Sequence, residues 1–155
     1  MNRKIIIGIS ILILFTLGVT FSNSKSEKNA KKFQRVVNTL EESKEVLIND
    51  LTEFEWDSAY VFKAYTSKEK IFNTIGFKSQ IIEETVSEGM NQLIFVKDKQ
   101  VVCFLYGYPD NVGYGFNFED TFSKVEDYIK LNYKDSPIFS TEKIDNIIYF
   151  TCLAL

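Results

Sequence analysis

The chain has 155 residues, 45% of them hydrophobic and 25% charged, which is a globular composition and excludes wholesale disorder. The absence of histidine excludes Ser-His-Asp and Cys-His catalysis and histidine-based zinc sites. Residues 1–35 hold seven of the 18 basic and one of the 21 acidic residues, so the rest of the chain has 11 basic and 20 acidic groups. That remainder has a net charge of −9, and because it repels phosphate backbones we expect no nucleic-acid partner.

An uncharged apolar run, residues 5–21, follows the basic start Arg3-Lys4. As a helix it would be roughly 25 Å long, close to the thickness of a bilayer core. A basic start, an apolar run and a polar continuation predict a secretory signal peptide or an uncleaved signal-anchor helix over residues 1–24. The structural alternative is a buried core helix.

We expect export, so that a single domain of residues 25–155 is secreted or held at the outer side of the membrane. The basic residues between 25 and 35 outnumber Arg3 and Lys4. By the positive-inside rule they favour the alternative, a membrane protein that faces the cytoplasm. No cysteine lies near the end of the apolar run, so we expect no lipid anchor of the lipoprotein kind.

Residues 26–51 are predicted to form a long amphipathic helix, because apolar residues recur at steps of three and four. Basic residues near its start are candidates for contact with anionic lipid or wall polymer, at about 1 kcal/mol per charge near a membrane. A solvated helix face is the alternative. These envelope-contact candidates are Lys28, Lys31, Lys32 and Arg35.

A strand is predicted at about residues 58–64, followed by a short helix that a Thr66/Glu69 capping box begins and Gly76 ends. A further strand is predicted at 79–83. The segment W-D-S-A-Y-V-F-K-A-Y-T-S-K-E-K-I-F-N-T-I-G starts at Trp56 and is followed by L-I-F-V-K-D-K-Q-V-V.

Over about residues 55–105, these two runs resemble small uncharacterised exported proteins and lipoproteins of Gram-positive bacteria. The helix followed by a hairpin also resembles the layout of outer-membrane assembly lipoproteins and β-lactamase-inhibitor proteins. That second resemblance implies a two-layer α/β fold that binds other proteins. The lipobox cysteine of such lipoproteins is missing here, and no functional residue is carried over.

A β-hairpin is predicted from two apolar runs, residues 93–96 and 101–106, with Asp98-Lys99 as its tip. A two-residue tip places Val96 opposite Val101 and Ile94 opposite Cys103. Both faces of the hairpin are apolar, so we expect it in mid-sheet with cover on both sides.

Beyond the hairpin the pattern predicts a turn-rich loop at 108–115, a short extended piece at Phe116 and Phe118, and a helix over 119–131. Residues 137–141 and 146–153 are predicted to form a final hairpin. The predicted fold class is therefore α+β. An antiparallel sheet of about five strands packs with one long and one or two short helices, preceded by the N-terminal hydrophobic segment.

Aromatic residues around the glycine-rich loop are the candidates for partner contact, because large aromatics on a loop give flat, amphipathic contact area. They are Tyr106, Tyr108, Tyr114, Phe116 and Trp56. The favoured interpretation is that they cap the end of the sheet, and partner contact is the hypothesis to test.

Cys103 and Cys152 both lie in apolar strand runs, and export would permit a disulfide between them. Two inert buried thiols are the favoured interpretation, and the disulfide is the alternative. Acidic residues such as Asp57, Glu119 and Asp120 could serve a hydrolase only if two of them were held at a fixed separation with split pKa values. No phosphate-binding loop occurs, and we expect no cofactor and no metal.

The function expected is therefore that of a non-enzymatic exported or membrane-anchored cell-surface protein that binds a protein or envelope partner. Residues 5–21 would hold it in the membrane if they are not cleaved. The alternatives are a small carboxylate-dependent hydrolase and a membrane-tethered immunity or inhibitor protein.

Overall fold

The computed structural model describes residues 25–40, 45–118 and 127–154. The predicted signal or anchor segment and the candidates Glu119 and Asp120 lie outside these residues. The helices are α1 (25–37), α2 (Ile48–Leu51), α3 (Lys68–Ile75) and α4 (Pro109–Val112). The strands are β1 (Glu45–Leu47), β2 (Ser58–Phe62), β3 (Asn91–Lys97), β4 (Gln100–Gly107), β5 (Tyr114–Asn117), β6 (Tyr128–Asn132), β7 (Ile138–Ile144) and β8 (Ile147–Ala154). Within these ranges, no helix has the length and hydrophobicity needed to cross a membrane.

The strands form two four-stranded sheets. The mixed sheet has the order β1-β7-β8-β5, with β5 parallel to β8, and the antiparallel sheet has the order β4-β3-β2-β6. The α+β class is confirmed, but the prediction of one antiparallel sheet of about five strands is wrong. Apolar alternation identifies a strand without specifying its neighbours, and β5 pairs with a strand far along the chain.

Both faces of the antiparallel sheet are covered. Ala59 and Val61 of β2 point into the main core, which α1 and both sheets share. Tyr60 and Phe62 point into a second core beneath α3, where Ile71 is buried. The predicted cover on both sides is confirmed, whereas the mid-sheet position holds for β3 alone because β4 is an edge strand.

The β3–β4 hairpin has the predicted tip, with Asp98 and Lys99 both at positive φ, but its register differs beyond Val96. Val96 pairs with Val101 as predicted, and a bulge at Val102 then pairs Ile94 with Phe104 in place of Cys103. The bulge turns both Val102 and Cys103 toward the main core. From α1, Asn29 Nδ2 donates a buried 2.8 Å hydrogen bond to the Val102 carbonyl.

Two predicted helices are wrong in part. The helical region at 25–37 gives way to β1, where Val46 pairs with Phe139 of β7 at the edge of the mixed sheet. Within 119–131, the residues that the structure describes include the start of β6, where Ile129 and Leu131 alternate into the main core. In both segments, side chains that fill a sheet position outweigh the helical spacing.

Smaller differences concern the ends of elements. Ser67, not Thr66, caps α3, because its Oγ accepts a hydrogen bond from the Lys70 N–H at 3.4 Å. Gly76 ends α3 in the left-handed conformation, as predicted. Residues 79–83 form a loop rather than a strand, and the final hairpin turns at Asp145-Asn146.

Candidate binding groove

A groove of about 710 Å³ lies at the end of the antiparallel sheet where β2 begins and β3 and β6 end. Three parts of the chain form it: the segment 52–57 ahead of β2, Lys97 at the end of β3, and residues 132–134 at the end of β6. Its lining combines aromatic rings with charged side chains of both signs, namely Glu53, Phe54, Glu55, Trp56, Asp57, Lys97, Tyr133 and Lys134.

Trp56 forms the floor of the groove. Its side chain is only 2% exposed, and its ring meets Phe95 and Tyr133 edge-on at centroid distances of 5.2 and 5.3 Å. The indole Nε1 donates a 2.9 Å hydrogen bond to Thr52 Oγ1, so its polar atom is satisfied. Trp56 therefore supports the groove from below and offers a partner little surface of its own.

Tyr133 is the exposed aromatic residue of the groove, with 48% of its surface accessible. Its N–H donates to the Asp57 carbonyl at 3.0 Å. Its own carbonyl accepts hydrogen bonds from Asn49 Nδ2 at 2.9 Å and from the Ser136 N–H at 3.2 Å. The backbone of an exposed ring is thus fixed on both sides.

Asp57 connects the groove to the tip of the β3–β4 hairpin. Its N–H donates to the Val96 carbonyl at 2.8 Å, and its Oδ2 accepts the Asp98 N–H at 3.1 Å. Its Oδ1 lies 3.1 Å from Lys97 Nζ. The hydrogen bond from the Asp98 backbone, and then the Lys97 ammonium, lower the pKa of Asp57, and the Asp57 carboxylate raises the pKa of Lys97. A carboxylate with a lowered pKa is a weak base, and both oxygens of Asp57 are already engaged by the hairpin tip.

The rim carries further charge. Lys97 Nζ also lies 3.8 Å from Glu55 Oε2, and the Glu55 side chain is 88% exposed. Lys32 Nζ of α1 reaches the Glu53 carbonyl at 3.4 Å, which brings one predicted envelope-contact residue to the edge of the groove. The other three of these residues, Lys28, Lys31 and Arg35, are exposed along α1.

The predicted aromatic loop is not a common surface. Tyr114 is only 3% exposed and meets Phe33 edge-on at 5.3 Å, which favours the interpretation that it caps the end of the sheet. Phe116 is half-buried and stacks on Phe150 at 5.0 Å. Tyr106 is half-buried and donates its hydroxyl to the Glu84 carbonyl at 2.8 Å.

Tyr108, at 40% exposure, is the loop aromatic with the most accessible surface among the described candidates. The loop follows the end of β4 that pairs with the start of β3, whereas Trp56 lies near the other end of β3. Trp56 and the loop are therefore at opposite ends of the antiparallel sheet. A second cavity of about 750 Å³ lies at the loop end and includes Phe116 in its lining.

The two cysteines do not form the disulfide considered above. Cys103 lies in β4 of the antiparallel sheet, and Cys152 lies in β8 of the mixed sheet. Cys103 is buried in the main core, and this burial raises the pKa of its thiol. Because the thiolate is the reactive form, Cys103 is inert in the folded protein.

Sequence reasoning found Trp56 but missed Tyr133 and its support Asn49. Tyr133 follows a segment predicted as a helix, and nothing in its neighbours marks an exposed, fixed ring. Asn49 lies in a predicted helix, whereas in the structure its amide crosses to a residue 84 positions away. The partners of a polar side chain cannot be deduced from local spacing.

Among the residues described, no group of three or more acidic, cysteine or histidine side chains is placed to hold a metal ion. The chain matches no protein family model, and it has no significant match among curated proteins or solved structures.

Proposed function

We propose that this is a non-enzymatic binding protein, exported or membrane-anchored at the cell surface, whose groove above Trp56 holds a segment of a partner protein. The observation that carries the proposal is Tyr133, an exposed ring whose backbone N–H and carbonyl are both hydrogen-bonded. Exposed aromatic side chains on a rigid support are typical anchors of protein interfaces.

The turn at residues 133–136 is already ordered before a partner binds, and this favours affinity. A flexible loop would lose about 0.5–1.5 kcal/mol for each side chain ordered on binding, whereas this turn is already ordered. Asn49 and Asp57 hold it from α2 and from the start of β2. The edge-on contact with Trp56 supports the ring from one side and leaves the other side accessible.

The charges at the rim indicate the chemistry of the partner segment. Lys97 is engaged by Asp57 and Glu55, while Glu53 and Lys134 line the groove with exposed side chains. A segment with an apolar or aromatic residue between a basic and an acidic residue would complement this surface. An immunity or inhibitor protein is the form of the proposal in which that partner is an enzyme or a toxin.

A carboxylate hydrolase receives no support from Asp57, whose oxygens are already used by Lys97 and the Asp98 N–H. General acid catalysis needs a carboxyl group with a raised pKa, whereas the pKa of Asp57 is lowered.

The test is affinity capture from intact cell envelopes with the tagged full-length chain, comparing wild type with Tyr133→Ser. Tyr108→Ser is the matched control, because it removes a similarly exposed tyrosine at the other end of the sheet. We expect Tyr133→Ser to lose the captured protein and Tyr108→Ser to retain it, with the thermal midpoint of both close to wild type. Equal capture by both variants, or no protein captured by wild type, would contradict the proposal.

Trp56, the single tryptophan of the chain, provides a second readout. Adding the captured partner in a titration should change the fluorescence emission of Trp56, because the Tyr133 ring lies directly against the Trp56 ring. An unchanged spectrum at saturation would place the partner elsewhere.

A further inference from the structure

The exposed face of α1 is strongly basic, and the proposed groove function makes no use of most of it. We propose that this face docks on the headgroups of an anionic lipid bilayer and so sets the orientation of the protein on the membrane. The residues concerned are the exposed Lys25, Lys28, Lys31 and Arg35, together with the half-buried Lys32, whose Nζ also reaches the Glu53 carbonyl. The inference is independent of the groove and of its partner, and it rests on the membrane anchorage of the proposed function.

The basic and buried positions of α1 lie on opposite sides of the helix. At about 100° per residue, the five basic positions fall within about 120° of arc. The buried positions centre on the opposite side of the helix. None of the five basic residues lies within the arc of the buried ones, so the two faces are distinct. The buried residues are Ser26, Asn29, Phe33 and Val37.

Two side-chain hydrogen bonds and one buried ring prevent α1 from rotating about its own axis. Asn29 Nδ2 donates to the Val102 carbonyl and Gln34 Nε2 donates to the Val112 carbonyl, each at 2.8 Å. Phe33 inserts into the main core against Tyr114 and Phe150. The orientation of the basic face is therefore fixed relative to the rest of the molecule.

The positive charge of this face is only partly offset within the helix, because Glu27 is the one acidic residue of α1 and is exposed beside Lys31. In the part of the chain that the structure describes, none of the five side chains forms an ion pair with a carboxylate. Residues 36–155 carry a net charge of −9, so an anionic surface attracts α1 and repels the rest. Each basic residue near such a surface contributes enough to change binding about fivefold.

The position of α1 in the chain favours a bilayer over a soluble polymer. Only residues 22–24 separate it from the uncharged run 5–21, and three extended residues span at most about 11 Å. That distance is close to the screening length of about 8 Å at physiological ionic strength. With the run in a bilayer, the basic face is held where headgroup charge acts on it.

The test uses the full-length chain reconstituted in nanodiscs of phosphatidylcholine alone and of a roughly 2:1 mixture with phosphatidylglycerol. Brief acylation of lysine amines is quantified residue by residue by mass spectrometry. The phosphatidylcholine discs tether the chain equally, so a difference between the two discs reports electrostatic docking. Lys78, Lys99 and Lys143, exposed on other elements, are internal references.

We expect acylation of Lys25, Lys28 and Lys31 to slow about fivefold in the anionic discs and to recover in about 1 M salt. The reference lysines should react equally in both discs. Equal rates at α1 in the two lipids would overturn the proposal. So would protection by soluble polyphosphate without protection by phosphatidylglycerol, since it would assign the face to a polymer.

A charge variant separates this effect from tethering. Lys28→Gln with Arg35→Gln should abolish most of the lipid-dependent protection of Lys25 and Lys31. Lys78→Gln with Lys143→Gln removes the same charge from other exposed positions and should leave the protection unchanged. Trp56 emission should match wild type in both variants. Protection that survives the first pair, or is lost in the second, would contradict the proposal.

Discussion

At the scale of single residues, Asp57 shows how one side chain can hold two elements together. Its backbone and carboxylate join the start of β2 to the end of β3 and to the hairpin tip. Its carbonyl also accepts the N–H of Tyr133, so the exposed ring of the groove depends on the same residue. Asp57 therefore contributes to the groove by positioning, although its own side chain is engaged elsewhere.

The lowered pKa of Asp57 predicts a pH-dependent contribution to stability. A carboxyl group with a folded-state pKa below its ordinary value of 3.8 stabilises the fold above that pH, and the contribution is lost as the pH falls through the lowered pKa. Asp57→Asn should therefore unfold at lower urea than wild type at neutral pH. The difference between the two urea midpoints should shrink as the pH falls below 3.8, as measured by far-ultraviolet circular dichroism.

Asp50→Asn, on the exposed side of α2, is the matched control for Asp57→Asn and should change the urea midpoint little at neutral pH. A gap between wild type and Asp57→Asn that stays constant with pH would show that the charge of Asp57 does not stabilise the fold.

Tyr114 and Tyr108 make a second residue-scale prediction, because their burial differs so widely. Tyr114→Ser leaves a cavity beside Phe33 and should lower the free energy of unfolding by about 3 kcal/mol or more. Tyr108→Ser should change it by less than about 0.5 kcal/mol. Urea unfolding of the two variants measures both free-energy changes. Equal changes would contradict the difference in burial between Tyr114 and Tyr108.

The sequence distinguished these tyrosines poorly, because both flank the same glycine-rich loop. Their exposure depends on α1, which brings Phe33 against Tyr114 from a distant part of the chain. The same limit applies to the groove, where Trp56 was recognisable by type and Tyr133 was not. Residue type indicates the chemistry that is available, whereas long-range packing decides which atoms are exposed.

At the scale of elements, the β3–β4 hairpin shows which features are local. Its tip is set by two adjacent residues and was predicted correctly, as was the cover on both faces. Its register also depends on the bulge at Val102, whose carbonyl is bound by Asn29 of α1. The bulge could not be predicted from the hairpin sequence, because the group that stabilises it lies in another element.

A substitution at the tip of this hairpin should stabilise the protein. Lys99 has a φ of 57°, a conformation that disfavours residues with a Cβ atom. Lys99→Gly should therefore raise the free energy of unfolding by about 1 kcal/mol. Lys143→Gly, within strand β7, is the control and should lower it. Urea midpoints compare the two, and destabilisation by Lys99→Gly would rule out strain at the tip.

At the scale of the whole molecule, the sequence predicts most of the strands but does not indicate that they divide into two sheets. Strand β5 is joined to the antiparallel sheet by Asn91 of β3, whose amide donates to the Tyr114 carbonyl and accepts the Phe116 N–H. Asn91 is a polar residue at the start of an apolar strand, and the sequence around it does not indicate that it binds β5. The main core then draws side chains from α1 and from both sheets.

This shared core predicts that the two sheets unfold together. Cys103 of the antiparallel sheet contacts the same apolar cluster as Phe139 and Phe150 of the mixed sheet, so its thiol should become accessible only when that cluster opens. Pulse labelling of Cys103 along a urea series should give the same midpoint as circular dichroism. Phe150→Ala, in the mixed sheet, should shift both midpoints equally, by an amount that corresponds to about 3–5 kcal/mol. Labelling of Cys103 that stays at its original midpoint in Phe150→Ala would show that the sheets unfold separately, against the prediction of a single domain over 25–155.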